Sequence, residues 1–125
     1  MGKYYTQRRF IDTPVSQGRA VEVVSIYGKG RVALITFSGN SPDLALVVEI
    51  DGDIETLPSI RELYSANLNE KNNVLWVSSY TSGNYSCIFA DKVEFNESLK
   101  VKVKNMGSNE AVVKSFISIV WLEEW

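Results

Sequence analysis

The sequence predicts an all-β fold: a two-sheet antiparallel β-sandwich, jelly-roll-like, with roughly eight or nine strands and one short helix near residues 59–65. Three observations carry this expectation. Apolar residues recur at every second position in run after run, and clusters of Gly, Asn, Asp, Ser and Pro separate the runs. Leu99, Val101 and Val103 alternate with Lys100, Lys102 and Lys104, so this run has one dry face and one cationic, wet face. The closing run from Phe116 to Leu122 is apolar at both odd and even positions, which a strand satisfies only when both faces are covered by protein.

The elements follow in order. Lys3 to Phe10 reads as a strand that ends at the turn-like Asp12-Thr13-Pro14. Ala20 to Tyr27 and Arg31 to Ser38 are strands joined by Gly28-Lys29-Gly30, read as a tight hairpin. After Gly39 to Asp43, Leu44, Leu46, Val48 and Ile50 share one face of the next strand. Asp51-Gly52 is the strongest hairpin signal, because a type I′ turn needs positive φ at both central residues. Its return strand is Asp53 to Leu57. Beyond Pro58, Ser59 and Glu62 have the spacing of a capping box and Ile60 and Leu63 lie one turn apart, which predicts a short helix. Asn67 to Asn73 is polar loop, Val74 to Tyr80 a strand, Thr81 to Asn84 a turn. Tyr85 to Phe95 is a strand with a break near Asp91, and Asn96-Glu97 turns into the lysine-edged strand. Met106 to Asn109 then turns into the last one. An immunoglobulin-like sandwich would require fewer strands and usually a cysteine pair around a tryptophan. An irregular barrel is the nearer alternative.

With 125 residues, the chain fits a single β-sandwich domain over residues 1–125, and 45% hydrophobic with 22% charged residues are ordinary globular values. The net charge of −2 gives no overall attraction to nucleic acid or anionic lipid. The charges are uneven, however. Lys3, Arg8, Arg9, Arg19, Lys29 and Arg31 dominate the first part, and Asp43, Glu49, Asp51, Asp53, Glu55 and Glu62 the middle. The opening residues have no apolar stretch, and no window is of membrane-spanning length.

The sequence has no histidine, which removes the usual general base, the commonest metal ligand and the Ser-His and Cys-His nucleophile systems. Cys87 is the only cysteine, so no intramolecular disulfide forms, and it reads as a small core residue. Asp51, Asp53 and Glu55 place oxygen ligands at alternate positions by a turn and are the candidates for a calcium site, although calcium takes more ligands than these. No organic cofactor is expected. The lysine comb lacks interleaved aromatics that would stack bases, and reads instead as protection against edge-to-edge pairing. Trp76 and Tyr80 share a parity, Tyr85 lies just past the next turn, and this trio is a candidate stacking platform for a glycan. Ile117, Ile119, Trp121 and Trp125 are the candidate interface residues, since an interface needs an apolar centre with aromatic anchors.

The run Leu46 to Gly52, the helix-like Ser59 to Leu63, and Val93 to Asn105 before a last apolar strand resemble small jelly-roll structural proteins of phages and of bacterial or archaeal viruses. That resemblance spans roughly Leu44 to Trp121 and has no counterpart for Lys3 to Phe10. It implies a virion component such as a capsid decoration, spike or tail protein. Such a protein would be non-enzymatic, made in the host cytoplasm, and would associate with itself, as a trimer or other closed ring, and with other virion proteins. A carbohydrate-binding module is the alternative function.

Overall fold

The computed structural model describes residues 2–68, 75–90 and 93–123, and for residues 7–11 the backbone alone. Ten strands and one helix run in the order β1 (Gly2–Val15), β2 (Ala20–Tyr27), β3 (Gly30–Gly39), β4 (Leu44–Ile50), β5 (Asp53–Ser59), α1 (Ile60–Ser65), β6 (Leu75–Thr81), β7 (Asn84–Phe89), β8 (Glu94–Phe95), β9 (Ser98–Asn105) and β10 (Ala111–Glu123). The larger sheet has the order β1-β10-β3-β7-β6 with β8 also paired to β3, and the smaller one has β2-β9-β4-β5. Every pairing is antiparallel.

The winding follows from which strands pair. β1 pairs with β10, β2 with β9, β3 with β7, and β4 with β5, so the partners are nested around the Asp51-Gly52 turn. Successive pairs alternate between the larger and the smaller sheet. The chain is thus one long hairpin rolled on itself, which is the jelly roll that the alternation pattern predicts. β6 extends the larger sheet by a further edge strand. Asp51 and Gly52 have φ of 51° and 92°, the two positive values that the tight turn needs.

The core lies between the sheets. Ile35 and Phe37 of β3, Phe116 and Val120 of β10, and Leu99, Val101 and Val103 of β9 are buried there, with Lys100, Lys102 and Lys104 on the opposite face of β9. α1 begins at a capping box: the Ser59 hydroxyl accepts from the Glu62 amide at 3.2 Å, and the Glu62 carboxylate from the Ser59 amide at 3.1 Å. Its Ile60 and Leu63 are buried in the same core.

Three local expectations are corrected. Asp12-Thr13-Pro14 is not a turn: β1 continues to Val15 through a register shift between Phe10 and Thr13, with Asp12 at φ 38°. An extra residue in a ladder bends a strand without ending it. Gly28-Lys29-Gly30 is not a hairpin either, because β2 belongs to the smaller sheet and β3 to the larger one. It is a corner between layers. Among the described residues the strands number ten, since the break expected near Asp91 separates β7 from the two-residue β8; Asp91 itself and Val74, expected to begin a strand, lie outside the described residues.

Candidate functional site

The last strand departs from its expected burial in an informative way. Ala111, Val113, Phe116, Ser118 and Val120 of β10 are buried toward the core, whereas Ile117, Ile119 and Trp121 on the other face are half-buried and pack outside the core cluster. The expectation that this strand is covered on both faces holds for one face only. β10 lies between β1 and β3, so its outward side chains are flanked by those of neighbouring strands.

The register extends this row across the sheet. Trp76 of β6 stands opposite Ile88 of β7, Ile88 opposite Thr36 of β3, and Thr36 opposite Ile117. Leu34, Ile119 and Thr6 form the next rung, and Arg31, Trp121 and Tyr4 the one after. Leu34, Trp76 and Ile88 are half-buried like Ile117 and Ile119 and likewise stand outside the core cluster. The hydroxyls beside this apolar patch have partners within the sheet. Thr36 donates to the Cys87 carbonyl at 2.8 Å, Ser38 pairs with Ser115 at 2.7 Å, and Ser78 with Ser86 at 2.6 Å. Covering the face with another molecule would therefore strand few donors.

At one end of this face, the Arg31 guanidinium carbon lies 4.8 Å from the centre of the Trp121 ring. The indole also leans across Gly2, where a Cβ would overlap its Cζ2, so a glycine is needed at that point of the edge strand. Nearby, Lys29 Nζ is 3.4 Å from Glu123 Oε2. A groove of about 300 Å³ opens here, lined by Lys29, Gly30, Arg31, Glu94, Phe95, Asn96, Trp121 and Glu123.

The outer face of the smaller sheet differs in character. Lys100 stands across from Glu49 and Ser25, and Lys102 across from Glu22 and Val47. Lys100 Nζ also lies 5.7 Å from the centre of the exposed Tyr27 ring. The lysine comb is interleaved with opposite charge and remains wet. The outer face of the larger sheet thus carries a contiguous apolar row, whereas that of the smaller sheet mixes lysine and glutamate with the exposed Tyr27 and Ile54.

The acidic hairpin does not assemble as the calcium candidates require. Asp51 accepts hydrogen bonds from the backbone amides of Asn96 (3.0 Å), Glu97 (2.6 Å) and Ser98 (3.1 Å). These amides, Asn96 first, hold its carboxyl below the usual carboxylate range. Asp53 and Glu55 are exposed on β5, opposite Ile50 and Val48. Among the described residues, no group of three or more His, Cys, Asp or Glu side chains converges. Asp51 is a clamp between the β4–β5 turn and the start of β9.

The aromatic trio is also divided. A register shift between Val77 and Ser79 reverses parity along β6, so Tyr80 and Tyr85 turn inward with Cys87 while Trp76 faces outward with Ile88. Tyr80 and Tyr85 meet edge to face with centroids 5.0 Å apart, and Tyr64 of α1 stacks on Tyr80 at 4.0 Å. This tyrosine cluster closes the helical end of the sandwich. Of the four interface candidates, Ile117, Ile119 and Trp121 share one face, and Trp125 lies outside the described residues. Leu34, Ile88 and Arg31 belong to the same face but escaped the sequence reading; the period-two partnership of Leu34 with Thr36 was their only signal.

Comparison with known proteins adds little to this. No family model matches the chain, and no curated protein matches it. Among solved structures, it is similar to FlhE at a TM-score of 0.44 and 11% identity, covering 98% of each chain. It is also similar to the Aeromonas sobria serine protease in complex with its chaperone ORF2, at a TM-score of 0.46 and 9% identity over 100% of this chain and 28% of that one. The structure of the Aeromonas sobria serine protease gives 0.46 and 8% over 98% and 27%. At these values the functional reading rests on the chain's own geometry.

Proposed function

We propose that the protein is a non-enzymatic structural protein that associates with copies of itself through the outer face of its larger sheet. The observation that carries this reading is the half-buried apolar patch of Leu34, Trp76, Ile88, Ile117, Ile119 and Trp121, set against a wet, charged face on the other sheet. Apolar centres with aromatic anchors are what interfaces between identical chains require, and such chains usually close by symmetry. The setting we assign is a viral particle, as a decoration, spike or tail component made in the host cytoplasm. The jelly-roll winding supports it, being an architecture of viral capsid domains, together with the sequence resemblance of Leu44 to Trp121 to small virion proteins.

The test is the mass of the particle in solution. Light scattering on the wild-type chain is expected to give a closed oligomer, a trimer in the first instance. Ile119→Lys places a charge at the centre of the patch and is expected to give a monomer with an unchanged far-ultraviolet dichroism spectrum. A wild-type chain that stays monomeric at high concentration would overturn the reading.

A further inference from the structure

We propose that the groove at the end of the larger sheet, where β10 finishes, is a binding site for a neutral saccharide. Its volume of about 300 Å³ sits at the small end of ligand pockets and suits one or two sugar rings. The polar lining is mixed and balanced: Lys29 and Arg31 supply donors, Glu94 and Glu123 acceptors, and Asn96 both. Their formal charges cancel. An anion would meet two carboxylates and an ammonium ligand two cations, while each hydroxyl of a sugar both donates and accepts and can use either kind of wall.

Two further features favour such an occupant. Arg31 is held over the Trp121 ring at 4.8 Å, so its donor fork has a defined orientation at the groove wall. Lys29 Nζ and Glu123 Oε2 stand 3.4 Å apart as an ion pair, so one wall of the groove presents a donor and an acceptor side by side. This site is separate from the Trp76, Tyr80 and Tyr85 trio, whose rings face opposite sides of the sheet.

The experiment is an NMR titration of the full-length, nitrogen-15-labelled chain with glucose, galactose, mannose, N-acetylglucosamine and lactose, and in parallel with inorganic phosphate and glycine. The expected result is a saturable shift of the Trp121 indole N–H and the Asn96 side-chain amide with at least one sugar. Asn96→Ala and Glu123→Gln should each weaken that binding roughly tenfold, the equivalent of one hydrogen bond. Asn96→Ala leaves in place the backbone amide that Asp51 holds, so its fold is expected to persist. No shift with any of the sugars, or equal shifts with phosphate or glycine, would overturn the proposal. Repeating the titration on Ile119→Lys separates the two readings, because the groove is expected to bind whether or not the chains associate.

Discussion

Single residues hold this sandwich together where its layers meet. Asn105 is fully buried at the end of β9, and its side-chain amide donates to the carbonyls of Val15 (2.9 Å) and Asn109 (2.6 Å) while its oxygen accepts from the Gly107 amide (2.9 Å). It ties the end of β1 to the β9–β10 connection. Asn105→Asp would aim an oxygen at two carbonyls, and chemical denaturation is expected to show a loss on the order of 3 kcal/mol at neutral pH. Asp51 acts similarly at the opposite turn. Because its carboxyl titrates below the ordinary value of 3.8, its contribution is complete above that pH and fades as the pH falls through the folded-state value. Thermal melts are expected to show Asp51→Asn, which tolerates the same positive φ, melting lower than wild type at neutral pH. The gap should narrow as the solution is acidified below that range. Both residues look alike in the sequence, as polar residues at strand ends. Asp51-Gly52 was readable as a turn because backbone geometry restricts residue choice, whereas the three amides that Asp51 engages lie 45 to 47 positions away.

At the scale of elements, what was legible depended on whether a pattern is local. The capping box of α1 was readable because Ser59 and Glu62 bond to each other. Removing it with Ser59→Ala should cost about 1 kcal/mol in a denaturant titration, the usual loss for a cap. The Lys100, Lys102 and Lys104 face of β9 was equally readable, since alternation is a property of one strand. Bulges were not. The shifts in β10 near Lys114 and in β6 near Ser78 each reverse parity, and the second moved Tyr80 and Tyr85 away from Trp76. The corner at Gly28-Lys29-Gly30 misled for a related reason: adjacent strands in sequence usually pair, but a rolled hairpin sends them to different layers. Within β10, Phe116 is the largest of the buried side chains, and Phe116→Ala is expected to destabilise by about 3 to 5 kcal/mol, measured by the same titration.

For the whole molecule, the unlike outer faces lead to opposite expectations about salt. Association through the apolar face of the larger sheet is expected to persist or strengthen when salt is raised from low to molar concentration, as followed by light scattering. Association driven by the charged face of the smaller sheet would dissolve under the same conditions, since screened surface charges lose their pull. The candidate interface was legible as residues but not as an area: the sequence marks Ile117, Ile119 and Trp121, while only strand order joins them to Leu34, Ile88 and Trp76.

The position of β10 also sets a schedule for folding. Gly2 is registered with Glu123, and β10 pairs with both β1 and β3. The larger layer therefore stays split until residues 111–123 have emerged from the ribosome, with β1 lacking its ladder partner while the residues between the two strands are made. Such distant pairing is slow to form. A cell making this protein in quantity must keep that solitary first ribbon from joining the wrong neighbour until its true one arrives.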